Sequence, residues 1–501
     1  MSPYLLGIDS GLTVTKAVVF DEEGREQGIG AVNNVQQSLR PRWVEQEMDR
    51  VWESCQGAVQ QALKSAGVEG NDISAVGLAG HGDGVYLVDE TGKPVRAGVL
   101  SMDSRAHEIL ARWNESGVSD RALQFNGQKP FAALPATLLA WFKENEPDAL
   151  ERTRWVLYVK DWLRYKLTGE YATDPTEASS GFTDVRTQDY SSDAFPLYDL
   201  EEVQGKFPPI VGCMEVAGEV TREAAETTGL AAGTPVVSGA HDVDACAVGV
   251  GCIDPGDLTM IAGTWSINEV VSDAPAFTEG AACRNFVVPN LWMNMSASPA
   301  SATNLEWFVQ RLCSLEVERA KEQGNSPFAF VNEEIEAVLD EESRVFYHPF
   351  LYGSPYGDDA TGGFFGLRGW HTRGHVLRAL FEGTVFNHKS HVDVLRNAFD
   401  FSKVRLTGGG SRSEIWSQMF ADALDLTVEV TDAGEAGALG AALCAGVGSG
   451  LYGSLDEATS SVVRVMRTHT PDPENRERLA KAFETYEALA EALMSVWPRT
   501  G

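Results

Sequence analysis

Residues 4–21 read as a buried strand over 4–8, a turn Asp9-Ser10-Gly11-Leu12-Thr13 and a returning strand over 15–21. Short apolar runs broken by Gly, Asp and Ser are the usual signal for such a bend. It gathers Asp9, Gly11, Thr13 and Lys16 around one tight turn. The same succession returns as a strand over 258–262, a turn Gly263-Thr264-Trp265-Ser266 and a strand over 267–271. This repetition limits the folds open to the chain, because it points to a duplicated architecture with one phosphate-facing bend in each half.

The segments between the bends are layered α/β. An amphipathic helix follows the first bend, with Met48, Val51, Trp52, Cys55, Val59 and Ala62 at threes and fours. Strands are expected at 73–78, 85–88 and 234–239, and helices at 134–143 and 240–250. Strands interleaved with helices favour mixed layers over separate all-α and all-β domains. A third glycine site, Thr407-Gly408-Gly409-Gly410-Ser411, lies between a strand at 404–406 and a helix over 412–424. Glycines at a strand-to-helix junction let backbone amides and the helix dipole meet an anion. A helix over 435–447 is crowded with Gly and Ala, so something flat or another helix can approach it closely. A charged terminal helix follows from about 474.

At 501 residues the chain has room for two to four domains. Its 40 basic and 72 acidic residues leave a net charge of −32. A field of that sign repels nucleic acid and anionic lipid, so small molecules or other proteins are the expected partners. No apolar run is long enough for a membrane span, and the first residues, Met1 to Gly7, show no signal-peptide pattern. The seven cysteines are scattered without a C-x-x-C pair, which argues against a disulfide framework or a zinc knuckle. A cytoplasmic globular protein is expected.

Three glycine-bearing bends suit a nucleotide triphosphate held by backbone amides. Asp9 could hold Mg²⁺ through water, or Asp9 and Gly11 could simply shape a hairpin turn. There is no G-x-x-x-x-G-K-[ST] and no G-x-G-x-x-G after a strand, which excludes the usual P-loop and Rossmann sites. Asp242, at a strand-to-helix junction, could take a proton from a substrate hydroxyl or cap helix amides. Asp244 is the competing carboxylate. His371 and His375, and His388 and His391, are helix-spaced without a metal-site motif, so satisfied structural histidines are expected.

Several segments, in order, match one family. Leu6-Gly7-Ile8-Asp9-Ser10-Gly11 with Lys16-Ala17-Val18 looks like a first phosphate motif, and Trp43-Val44-Glu45-Gln46 is similar to a "G-W-x-E-Q" segment. Residues 135–145 match a first signature, except that Leu138 replaces the usual lysine. Gly362-Gly363-Phe364-Phe365-Gly366-Leu367 and residues 375–383 are close to a second, with Leu380 slightly off pattern. Gly263-Thr264-Trp265 resembles a second phosphate motif and residues 407–413 an adenosine loop. In these motifs the chain resembles the FGGY carbohydrate kinases of the actin/Hsp70-like ATPase superfamily.

The resemblance implies two actin/Hsp70-like (ribonuclease H-like) lobes with a cleft between them, divided here as 1–247 and 248–501. It implies ATP on the second lobe, sugar on the first, and Mg²⁺ as cofactor. It gives the general-base role to Asp242 over Asp244, and Mg²⁺–phosphate contact to Asp9. ATP contact falls to Gly11, Thr13, Lys16, Gly263, Thr264, Gly408, Gly409, Gly410 and Ser413. Xylulose kinases usually show Gln-Met-His-Gly where this chain has His81-Gly82-Asp83-Gly84, and Val243 follows the base where they often have Asn. These departures look more like the L-xylulose kinase branch. His81, Asp83, Asp103 and Arg105 are then candidates for sugar recognition, because carboxylates accept from vicinal hydroxyls; loop turns or ion pairs are the other use of such residues. Asp174 is a weaker candidate. The expected reaction is phosphorylation of a terminal hydroxyl on a ketopentose of the L-xylulose, xylulose or ribulose type. The alternatives are a tetritol, pentitol or glycerol kinase, or a non-catalytic sugar sensor on the same scaffold. Homodimerisation is expected only by analogy.

Overall fold

The computed structural model describes residues 3–341, 344–357 and 359–499, so Met1 and Ser2 of the N-terminal stretch read for a signal lie outside it. The first strand, Tyr4–Ser10, alternates its side chains between two layers. Leu6 and Ile8 pack with Met48, Trp52 and Cys55 of the helix Met48–Ala66. Leu5 and Gly7 face the small-residue helix Ala436–Gly448 on the opposite side. Helix Met48–Ala66 stops at Gly67, whose φ of 69° is the left-handed cap conformation.

The repeated bends become two seven-stranded sheets that share a six-strand order. In the first, Tyr4–Ser10 pairs antiparallel with Val14–Phe20, which pairs antiparallel with Glu26–Asn33. On its other side Tyr4–Ser10 runs parallel to Ile73–Gly80, which runs parallel to Pro235–Val237. Val216–Glu219 then closes that edge antiparallel. In the second sheet Asp257–Ala262, Ser266–Ser272 and Trp292–Ser298 form the antiparallel run. Lys403–Thr407 and Val428–Thr431 supply the parallel strands and Val465–His469 the antiparallel edge. Six strands of each sheet correspond in order and direction, while the seventh differs. Ala240–His241 pairs with Ile73–Gly80 in the first sheet, and Ala282–Asn285 extends the antiparallel edge of the second.

The two halves meet through small residues. A methyl group at Gly440 would sit 1.8 Å from the Ala245 carbonyl oxygen, and one at Gly249 would sit 2.0 Å from that of Ala436. Helices Asp242–Gly249 and Ala436–Gly448 therefore cross almost backbone to backbone. The former runs on past the division placed at 247/248, and the linker between the sheets is 250–256.

Two helix starts differ from expectation. The helix expected from 240 begins at Asp242, because Ala240–His241 first pair as a strand with Ala79 and Gly80. The helix expected from 412 begins at Glu414, after a 3₁₀ turn over Gly409–Arg412. His388 bonds Ser301 and Asn268, and His391 bonds Ser296 and Ser298, so these buried histidines are satisfied in place. Among the described residues no helix is long and apolar enough to cross a membrane.

Candidate active site

Strand register brings the candidate residues together. Asp9 stands opposite Ala79, Ser10 opposite Gly80, and Ala240–His241 opposite Ala79–Gly80. Three parallel strands thus end at one level, where ligands of open α/β sheets bind. From that level emerge the first bend, the segment His81-Gly82-Asp83-Gly84 and the helix carrying Asp242. A cavity of about 680 Å³ opens there, lined by Leu12 of the first bend, Trp265 of the second, His81, Asp83, Asp242 and Arg284, among others. Both hairpin bends and both halves therefore contribute to one site. Gly82 is required locally, since a Cβ there would lie 2.4 Å from the His241 ring.

Asp242 opens its helix, where the dipole favours a carboxylate, and its side chain keeps 30 % exposure, against 2 % for Asp244. His241 lies between them, Nε2 at 3.3 Å from Asp242 Oδ1 and Nδ1 at 3.4 Å from Asp244 Oδ2. Burial alone would push its imidazole down, but the carboxylates of Asp244, Asp242 and Glu177 outweigh burial and hold it up at about 9. Burial raises the Asp242 carboxyl above the usual aspartate range, opposed by the His241 charge. Asp9 is pushed up to about 7 by burial and then by the nearby Asp242. Its Oδ1 is buried with no hydrogen-bond partner.

Lys16, on the first bend, is paired with Glu435 across the cleft at 2.5 Å, and Thr13 is exposed at the tip. In the second bend Thr264 is exposed, and a Cβ on Gly263 would meet nothing closer than Ile261 at 3.8 Å. Packing does not demand glycine at 263 or 409; the Gly263 backbone is engaged with Trp265 and Ala302, while Gly409 has open space before it. Gly408 (φ 84°) and Gly410 instead lie against Ala262 at the end of the neighbouring strand. Ser413 caps its helix by accepting from Trp416 N at 3.2 Å and donates to Asn332 at 2.8 Å. Its hydroxyl is thus already engaged within the protein.

Asp103 and Arg105 are not brought to the cavity. Arg105 bonds Asp103 through Nε at 2.9 Å and Nη2 at 2.8 Å, bonds Glu45 at 2.6 Å, and lies 3.9 Å over the Trp43 ring. Asp103 also accepts from Val44 N at 2.7 Å. This buried ion pair pins the Trp43 segment, and of its loop Ser101 lines the cavity instead. Asp174 is also structural: it caps a short helix through Thr176 N and Glu177 N and pairs with buried Lys160. The sequence reading missed His241, Gln128 and Arg284. For His241 the signal was its place beside Asp242; Arg284, in a short strand without a motif, offered none.

Two like sheets closing on a carboxylate-bearing cavity, with a hairpin bend of each sheet lining it through Leu12 and Trp265, define the scaffold of a two-lobed phosphotransferase. Residues 4–249 match the N-terminal domain of the FGGY family of carbohydrate kinases and residues 258–449 its C-terminal domain, and the chain belongs to that family. It is 33 % identical, over 100 % of this chain and 99 % of the relative, to the L-xylulose/3-keto-L-gulonate kinase of Escherichia coli strain K12. It is 35 % identical to a probable L-xylulose kinase of Haemophilus influenzae, over 88 % of this chain and 90 % of the relative. The crystal structure of xylulose kinase from Rhodospirillum rubrum superposes with a TM-score of 0.85, at 26 % identity over 99 % of each chain. The protein is a sugar kinase with ATP as co-substrate, on the actin/Hsp70-like two-lobed fold.

Proposed function

We propose that this kinase transfers the γ-phosphoryl group of ATP to a terminal hydroxyl of a ketopentose of the L-xylulose type, with Asp242 as general base. The observation that carries the reading is the partly exposed Asp242 carboxylate at the cavity wall, where strand ends also deliver Asp9 and Asp83. The full-length similarity to kinases named for L-xylulose, and Asp83 in place of a histidine, support the substrate class.

Phosphoryl transfer through a loose transition state needs alignment and charge neutralisation more than covalent help. Asp242 accepts the hydroxyl proton as the oxygen attacks. Its nearness to the His241 imidazolium favours the ionised form against the burial that raises its pKa. Thr13, Thr264 and the amide at Gly409 meet the phosphates, Gly11 and Gly263 shape the two bends through N–H bonds to Val14 and Trp265, and Gly408 and Gly410 pack by the nucleotide. Mg²⁺ would be held at Asp9, whose buried and unpartnered Oδ1 suits a metal-bound water; bound there, it neutralises phosphate charge. Drawing the halves together excludes water and limits ATP hydrolysis. The reading places the enzyme in the cytoplasm, where ATP is supplied.

The test is a coupled ADP-release assay over L-xylulose, D-xylulose, ribulose, tetritols, pentitols and glycerol, run with Asp242→Asn alongside. The ketopentoses should be turned over, and the variant should bind ATP and sugar while kcat falls by about 10²–10⁴. Near-normal turnover in the variant refutes the base, and activity confined to polyols refutes the substrate class.

A further inference from the structure

Arg284 belongs to the second sheet, in strand Ala282–Asn285, yet its side chain crosses into the first half. It is only 3 % exposed. Nη2 donates to Asp83 Oδ1 at 2.9 Å and Nε to Gln128 Oε1 at 3.1 Å. Flanking residues clamp the strand against the first half: Cys283 N donates to the Gly127 carbonyl at 2.8 Å and Asn285 Nδ2 to that of Pro175 at 3.0 Å. The guanidinium is therefore aimed from a fixed base.

A guanidinium carries five N–H donors in a rigid fork. Here Nη1 is buried and has no hydrogen-bond partner, while the residue lines the same cavity as Asp242 and Asp83. A buried donor left unmet costs about 1–3 kcal/mol, a loss that an acceptor reaching Nη1 from the cavity would recover. Asp83 is not that acceptor in the structure, since it meets the guanidinium at Nη2 through Oδ1 and leaves Nη1 unpartnered.

We infer that Arg284 is a specificity-determining residue for the sugar: its Nη1 donates to an acceptor oxygen of the bound sugar, carbonyl or hydroxyl, while Nη2 holds Asp83 to accept from a neighbouring hydroxyl. The inference rests on the kinase reading above for what occupies the cavity. It makes sugar recognition a joint act of both lobes, because the donor comes from one and the acceptor from the other. Sugar binding then stabilises the juxtaposed arrangement in which Asp242 and the second bend share a cavity.

The test measures L-xylulose affinity by calorimetry, and KM values for L-xylulose and ATP, in Arg284→Lys and Arg284→Gln. Lysine keeps the charge facing Asp83 but has no second nitrogen to offer. Both variants should weaken L-xylulose binding and raise its KM by about 10–100-fold, leaving KM for ATP within about twofold. If lysine restores normal sugar affinity while glutamine does not, Arg284 only pairs with Asp83 and the inference fails; unchanged affinity in both also overturns it. Unaltered melting temperatures confirm folding, and Asp83→Asn, if either arginine variant melts early, gives the same sugar-against-ATP split without removing the guanidinium. The binding arm reads Arg284 whether or not Asp242 is the base, whereas Asp242→Asn turnover reads the base alone. If the unaltered enzyme does not bind L-xylulose, that sugar is excluded as the substrate, and the Arg284 comparison is made on whichever of D-xylulose and ribulose it binds.

Discussion

His241 faces a carboxylate on each side of its ring, Asp242 at 3.3 Å and Asp244 at 3.4 Å, and carries its proton up to about 9. Its charge opposes the burial that raises Asp242. A base must be deprotonated to act, so kcat rises with pH through the Asp242 titration. Removing the imidazolium removes what favours the carboxylate, and the acid limb of the pH–kcat profile must then move to higher pH. Asn is the replacement to use, because residue 241 is the N-cap of the helix and Asn fits that position. In His241→Asn, kcat should fall several-fold further on the acid limb of the profile than on its alkaline plateau, with KM for ATP little changed. An acid limb that stays in place shows that His241 only packs against Gly82. The places of Asp242 and Asp9, at a helix start and a hairpin bend, were legible in the sequence because these are local events, while their proposed roles came from the family resemblance. For Asp103 and Arg105 the sequence left sugar contact and an ion pair both open; the structure shows the ion pair, and its further member Glu45, 60 residues from Arg105, lies beyond any local pattern. Arg284 was silent for the same reason: its meaning lies in Asp83, 201 residues away.

The elements themselves were mostly readable, since periodicity and glycine punctuation report burial and turns. The expected crowded helix over 435–447 is present as Ala436–Gly448, but its use was hidden. Small residues permit close approach without naming the neighbour, and here the neighbours are the first sheet and the helix of Asp242. A methyl at Gly7 would lie 1.9 Å from the Ala438 carbonyl oxygen, and one at Gly77 1.9 Å from that of Ala441. Backbone contacts of this kind cannot yield by rotating a side chain. Gly440→Ala, directed at the Ala245 carbonyl, should therefore cost about 3 kcal/mol, at the upper end for overpacking, and lower turnover by shifting the helix that presents Asp242. Gly205→Ala is the control: nothing lies within 4 Å of a Cβ there. Thermal denaturation of both variants checks this. A Gly440→Ala protein melting with the control shows that the two helices part more freely than their contacts imply.

At the scale of the whole molecule, the repeated topology sets two hairpin bends against one cavity, and a net charge of −32 surrounds it. A triphosphate must approach through that field. Lys16, the cation nearest the first bend in sequence, is paired with Glu435 and does little to reverse it. Most surface charge lies beyond contact distance of the nucleotide, so its repulsion is screened by salt: the Debye length falls from about 30 Å at 0.01 M to about 8 Å at 0.15 M ionic strength. The sugar is neutral and feels none of this. With free Mg²⁺ held constant, raising KCl over that range should lower KM for ATP by about two- to tenfold through faster encounter, while KM for L-xylulose stays level. This is the reverse of the trend for a nucleotide site dominated by nearby Lys and Arg, where screening weakens binding. If KM for ATP instead rises with salt, local cations around the bends outweigh the global charge, and the acidity of the surface has no part in nucleotide capture.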